Sequence, residues 1–191
     1  ASIFSFHATK VFNTIEGGAV TFSDHKLYEK LYNLKNFGIR GEELVADVGA
    51  NAKMNEFCAI MGLCNLNHLE DVLANRKERY EYYKEKLRDV KGIRFFDRNS
   101  EATSNYAYFP ILIENEHGCT RDELYGKLRK KNIYPRKYFY PITSDQACFR
   151  NKYKNDELDC ARELSKKVLV LPFFEKIEEK QINNIVNIVR G

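Results

Sequence analysis

The chain has 191 residues, enough for one substantial hydrophobic core or two small ones. Hydrophobic residues make up 43% and charged residues 30%, with a net charge of +4 spread as mixed-sign pairs, so the composition is that of an ordinary globular protein and gives no basic tract for a nucleic acid partner. No apolar run approaches the roughly 18 residues of a membrane span, and the five cysteines (Cys58, Cys64, Cys119, Cys148, Cys160) lie at no metal-finger spacing; they read as buried free thiols of a reducing cytoplasm, with no metal site.

The chain opens without an initiator methionine and inside a predicted strand, Ser2 to Phe6, which reads as a processed or truncated start. A second short strand is predicted over Ala19 to Phe22, with a polar loop between the two. Asp24 is a plausible N-cap for a helix to about Asn36 that carries Leu27, Leu31 and Leu34 on one face and stops at Gly38. Residues 39 to 53 hold no steady period and read as a long loop, the kind of segment that often carries function. From Asn55 to Lys91 the pattern is helical, with a break expected near Asn65 to Asn67. Phe57, Ile60, Met61 and Cys64 form its first apolar stripe, which reads as core. Gly92 ends it. Beyond lie predicted strands at Ile93 to Phe96 and Tyr106 to Ile113, a capping box Thr120-Arg121-Asp122-Glu123 opening a helix to about Lys131, and a short strand at Ile133-Tyr134. An aromatic loop, Pro135 to Pro141, precedes a helix over Asp156 to Lys167, a strand over Val168 to Leu171 and a terminal amphipathic helix over Glu179 to Arg190.

Chemistry concentrates in the first loop. Lys10 sits in Ser5-Phe6-His7-Ala8-Thr9-Lys10, followed closely by Glu16-Gly17-Gly18, whose glycines permit a tight backbone turn. An amine held between two strands is suited to covalent chemistry with a carbonyl compound, although a lone loop lysine is ordinarily solvated charge. A second segment is Gly49-Ala50-Asn51-Ala52-Lys53-Met54-Asn55-Glu56-Phe57, in which the Asn51 amide could donate to a phosphate oxygen. The third is Tyr134-Pro135-Arg136-Lys137-Tyr138-Phe139-Tyr140-Pro141, where basic and aromatic residues interleave as they would to pair with a diphosphate and stack on a base or sugar.

Taken in order, the SFHATK and EGG residues resemble the cofactor-lysine segment of the DegT/DnrJ/EryC1/StrS family of sugar aminotransferases, and the resemblance runs through essentially the whole chain. It implies an α/β fold, the C-terminal part of a fold type I pyridoxal phosphate (PLP) dependent transferase: residues 1–65 would close the large cofactor domain, and residues 66–191 would supply a linking helix and a small α/β domain. It implies that Lys10 carries PLP as a Schiff base and acts as the catalytic base. Asn51 stands where the family's asparagine reaches the cofactor phosphate of the other subunit, implying a homodimer with shared active sites. Lys53 replaces the arginine usual in the family, which keeps charge but loses the bidentate fork, and Ile15 stands where many members have glycine. The third segment resembles the subset acting on dTDP-linked keto sugars for surface polysaccharides, lipopolysaccharide and antigens, with His7, Arg136, Tyr138 and Tyr140 as candidate substrate contacts and glutamate as the implied amino donor. The family's acidic residue at the pyridine nitrogen, its ring-stacking aromatic and its phosphate-binding Ser/Thr would precede Ala1, so the isolated piece is expected to be inactive. Two rivals stand beside this reading. One is a PLP-dependent sugar dehydratase, whose type replaces the lysine with histidine; the other is a non-catalytic fragment or dimerisation module.

Overall fold

The computed structural model describes residues 1–96, 99, 101–149, 152 and 157–191. Two compact units divide the chain, Ala1–Asp71 and Val72–Gly191. In the first, β1 (Ser2–Ser5) and β2 (Gly18–Thr21) form an antiparallel ribbon in which Ser2 faces Thr21 and Ser5 faces Gly18. Helix α1 (Lys26–Lys35) follows. It starts two residues after Asp24, whose Oδ1 accepts from the Lys26 amide at 3.0 Å, so this aspartate shapes the turn into the helix while His25 holds the N-cap position. Gly38 then turns the chain back at φ +73°, where a Cβ would collide with the Asp47 carbonyl. Helix α2 (Glu56–Leu66) is capped by Asn55, whose side chain accepts from the Cys58 amide at 2.9 Å.

Helix α3 (Leu69–Leu87) begins after a break at Asn67-His68, one residue beyond the expected position, and enters the second unit. There β3 (Ile93–Arg94), β4 (Phe109–Ile113), β5 (Arg136–Lys137) and β6 (Val168–Leu171) form an antiparallel sheet in the order β3-β4-β6-β5. Along β4 and β6 the residues Phe109, Ile111, Ile113, Leu169 and Leu171 face one side, as strand alternation requires. They meet Tyr83 and Leu87 of α3, Leu124 and Leu128 of α4 (Arg121–Lys130), and Ile182, Ile185, Val186 and Val189 of α6 (Glu179–Arg190). Leu112, Val168 and Val170 alternate to the other side and are buried too, so both faces of the two central strands are covered. Helix α5 (Asp159–Lys167) packs beside β4. The expected start of this helix at Asp156 lies outside the described residues.

Four expectations need correction. The short strand is not Ile133-Tyr134 but Arg136–Lys137, because the edge of β6 pairs with Arg136 and Lys137 opposite Val170 and Leu169. The strand expected from Tyr106 begins only at Phe109, since Tyr106 takes a left-handed φ of 49° that no strand residue adopts. The α2 stripe is not core: Phe57 is 83% exposed, Ile60, Met61 and Cys64 are also exposed, and only Cys58 and Gly62 of that helix are buried. The thiols are free, as expected, but Cys148 and Cys160 join Cys64 at the surface and Cys119 is half-buried.

Candidate active site

The loop from Phe6 to Gly17 is laced to its own ends. The Phe6 amide donates to the Gly17 carbonyl at 2.8 Å and the Thr14 amide to the Phe6 carbonyl at 2.9 Å. Thr14 is the buried peg, 3% exposed, with its hydroxyl donating to the Glu16 carbonyl at 2.8 Å. Its methyl lies against Gly62 of α2, where a Cβ would come within 2.8 Å of Thr14 Cγ2, and Asn65 of the same helix donates to the Asn13 carbonyl at 2.9 Å. Helix α2 therefore holds the loop by a glycine seat and an amide. Phe6 and Phe12 close the loop edge to face, with ring centroids 5.1 Å apart. Ile15 takes φ 68°, left-handed backbone that costs a β-branched residue about 1–2 kcal/mol.

Lys10 lies at the exposed tip. Its amide donates to the His7 carbonyl at 2.9 Å and its carbonyl accepts from Asn13 Nδ2 at 3.4 Å, so the backbone is pinned on both sides. Its ε-amino group has no hydrogen-bond or ion-pair partner among the described residues. The amine is available to an incoming group. His7 is differently placed. The Thr9 amide donates to His7 Nδ1 at 3.2 Å, which requires that nitrogen to be bare, so Nε2 carries the hydrogen and faces Glu16 Oε1 at 3.4 Å. Both ring nitrogens thus have partners inside the loop, and Glu16, which sequence reading valued only as part of a turn, orients the ring.

Asn51 is set by backbone pairing to the carbonyl end of α1. The amides of Ala50 and Ala52 donate to the carbonyls of Leu34 and Lys35 at 2.8 and 2.9 Å, and Asn36 and Asn51 form a bridge. Gly49 makes this approach possible, since a Cβ there would strike the Asn33 carbonyl. Lys53 Nζ donates to Asn51 Oδ1 at 2.8 Å and lies 4.6 Å from the Phe37 ring centroid. A lysine can only donate, so the amide oxygen must face it and the NH₂ group points away, ready for an acceptor. Among the described residues no hydrogen bond or ion pair joins Asn51 to Lys10.

In the second unit Arg136 is exposed, and no ion pair engages it among the described residues. Its neighbour Lys137 pairs with Asp122 at 2.7 Å and lies 4.9 Å from the Tyr125 ring centroid. Tyr140 is covered by the Arg121 guanidinium at 4.5 Å. Arg121 itself is 3% exposed and donates to the carbonyls of Ser165 and Val168, capping the end of α5. Tyr138 packs edge to face on Tyr108 at 5.6 Å, and burial pushes its phenol up. Arg136 and Tyr138 thus stand at the surface and half-buried respectively, whereas Tyr140 belongs to a cation–π stack. That stack was invisible in the linear spacing, because Arg121 comes from another helix.

This geometry meets a consistent set of known proteins. The profile of the DegT/DnrJ/EryC1/StrS aminotransferase family matches residues 1–190. The chain belongs to this family. The dTDP-4-amino-4,6-dideoxy-D-glucose transaminase of Shigella dysenteriae is 39% identical over 189 residues, covering 99% of this chain and 52% of the relative. The Escherichia coli transaminase of the same name is 38% identical over 178 residues, covering 92% and 48%. Among solved structures, DesI with its TDP-sugar product superposes with a TM-score of 0.88 at 31% identity, over 98% of this chain and 48% of that one. The chain spans about half the length of the curated relatives it matches. Its mixed α/β architecture aligns with about half of fold type I sugar aminotransferase structures, and the family is PLP-dependent. Among the described residues no helix is long and apolar enough to cross a membrane.

Proposed function

We propose that the whole protein is a PLP-dependent aminotransferase that aminates a keto carbon of a dTDP-linked deoxysugar, with glutamate as amino donor, in the cytoplasmic synthesis of a surface polysaccharide or antigen sugar. The observation that carries this reading is the unpartnered Lys10 amine on a backbone pinned at both ends. The residues present suit the cofactor: a free primary amine for its aldehyde, and at Asn51 an amide whose NH₂ is turned outward toward a phosphate acceptor. PLP, when bound, supplies the electron sink that lets an α-proton leave a bound amine. Lys10 would hold it through its ε-amino group and would then be the amine placed to accept and return that proton. Asn51, oriented by Lys53, donates to the phosphate of the partner subunit's cofactor, which makes the working unit a homodimer with shared sites. Arg136, Tyr138 and Tyr140 are the proposed contacts to the substrate diphosphate, base or sugar, and His7, held by Glu16 in the lysine loop, is a further candidate contact.

Two experiments test this. Borohydride reduction of the whole PLP-loaded protein, followed by peptide mapping, is expected to place the pyridoxyl group on Lys10. A label on any other lysine overturns the assignment. Lys10→Ala is expected to abolish transamination, and so is Asn51→Ala largely. Mixing the two inactive proteins is expected to recover part of the activity through hybrid dimers, and no recovery after demonstrated subunit exchange defeats the shared-site reading.

A further inference from the structure

A second chemical pair lies in the other unit, between β4 and α4. His117 ends a short 3-10 turn (Asn115–His117), Gly118 follows in left-handed conformation at φ 81°, and Cys119 immediately precedes Thr120, the N-cap of α4. The turn is fixed from outside. The Glu114 amide donates to the Gly92 carbonyl at 2.8 Å, and the His117 backbone packs so closely on Gly92 that a Cβ there would strike it. His117 Nε2 is 2.8 Å from the carbonyl oxygen of Val189, in the last turn of α6. A carbonyl can only accept, so Nε2 carries the hydrogen, and Nδ1 of the neutral ring is bare. That bare nitrogen faces Cys119 Sγ at 3.2 Å. The thiol therefore donates to a base whose tautomer is set by a carbonyl that α6 leaves without a helical partner.

Cys119 is half-buried, packed on one side against the core of its unit. None of this belongs to the Lys10 loop, and the aminotransferase reading does not use it.

We propose that Cys119, activated by His117, is a site of reversible S-thiolation by small-molecule disulfides. The Cys119 sulfur attacks one sulfur of the disulfide, a new S–S bond forms, and the old one breaks. The thiol proton passes to His117 Nδ1 and on to the departing thiolate, which leaves as a free thiol. One disulfide is consumed and one formed, so no other oxidant is needed.

The test is competitive reaction of the folded chain with limiting oxidised glutathione, quenched by acid and mapped by mass spectrometry. Cys148 and Cys160 of the same unit are more exposed than Cys119, so accessibility alone would make Cys119 the slower site. The expected result is the reverse, with Cys119 modified about tenfold faster than either. His117→Asn is expected to remove that advantage and leave the Cys148 and Cys160 rates unchanged, and a retained cooperative urea unfolding transition shows that the variant is folded. Modification of Cys119 no faster than Cys148 and Cys160 in the unmodified sequence overturns the proposal, and so does an unchanged Cys119 rate in His117→Asn.

Discussion

At the scale of single residues, the informative side chain is one that the linear motif undervalues. Lys53 keeps a positive charge at the position where the family resemblance implies arginine, and loss of the bidentate fork argues against a phosphate clamp. The structure gives it another task. Its ammonium holds the Asn51 oxygen at 2.8 Å and so decides which end of the amide faces outward. If Asn51 binds phosphate only in that orientation, Lys53→Met should weaken PLP binding to the whole protein about tenfold, the scale of one hydrogen bond of about 1.4 kcal/mol. Asn51→Ala should cost at least as much, and the double variant no more than Asn51→Ala alone, because the lysine acts through the amide. Additive losses in the measured dissociation constants would show that Lys53 acts independently. Lys10 and Asn51 could be singled out from sequence because each lies inside a contiguous motif. The Lys53–Asn51 bond, the Glu16–His7 contact and the Thr14 peg could not, since each depends on a turn geometry or on Gly62 of a distant helix.

At the scale of elements, regular periodicity was readable and edges were not. The α6 span follows from Ile182, Ile185, Val186 and Val189 at one-face spacing, and α4 follows from a capping box that the structure shows complete, with Glu123 accepting from the Thr120 amide at 2.7 Å. The shift of the short edge strand to β5 was hidden, because pairing with β6 and not local apolar content selects Arg136 and Lys137. An ion pair then ties α4 to β5. The Lys137 ammonium bonded to Asp122 holds that carboxyl below its ordinary value of 3.8, and Arg121 adds to the effect. A carboxyl lowered in the folded state stabilises when ionised. That contribution is complete above the unfolded value and fades as pH falls below 3.8 through the depressed folded one. Asp122→Asn should therefore lower the urea midpoint of unfolding at about pH 6, and the gap to the unsubstituted chain should narrow steadily as the pH is taken below 3.8. A gap that stays the same size as the pH falls would mean that packing, not charge, accounts for the loss.

At the scale of the whole molecule, the two units are unequally built. Val72–Gly191 contains nearly all of the core, with Tyr83, Leu87, Phe109, Ile111, Leu124, Leu128, Leu169, Ile182 and Val189 fully buried. Within Ala1–Asp71 the buried set reduces to Thr14, Gly38, Cys58 and Gly62, while Ile3 is 84% exposed, Val48 88% and Phe57 83%. Burial of apolar area is the main favourable term in folding, worth roughly 25 cal/mol per Å², so the unit that carries Lys10 and Asn51 has little of its own to offset chain entropy. The apolar pattern of α2, read as core from its spacing, is consistent with this: the spacing marks a face made for burial, and within its own unit Phe57, Ile60 and Met61 stay exposed. Hydrogen exchange should expose the difference. In the 191-residue chain, amides of β4, β6 and α6 should exchange only through global unfolding, with rates that respond steeply to added urea. Amides of β1, β2, α1 and α2 should exchange orders of magnitude faster through local openings that urea hardly affects. In the whole protein, about twice as long if it matches its relatives, the protection of α2 and of the Lys10 loop should rise toward that of β4. Equal protection of both units in the 191-residue chain would show that the first unit is stable without further cover, and the dependence of the lysine loop on the rest of the protein would have to be abandoned.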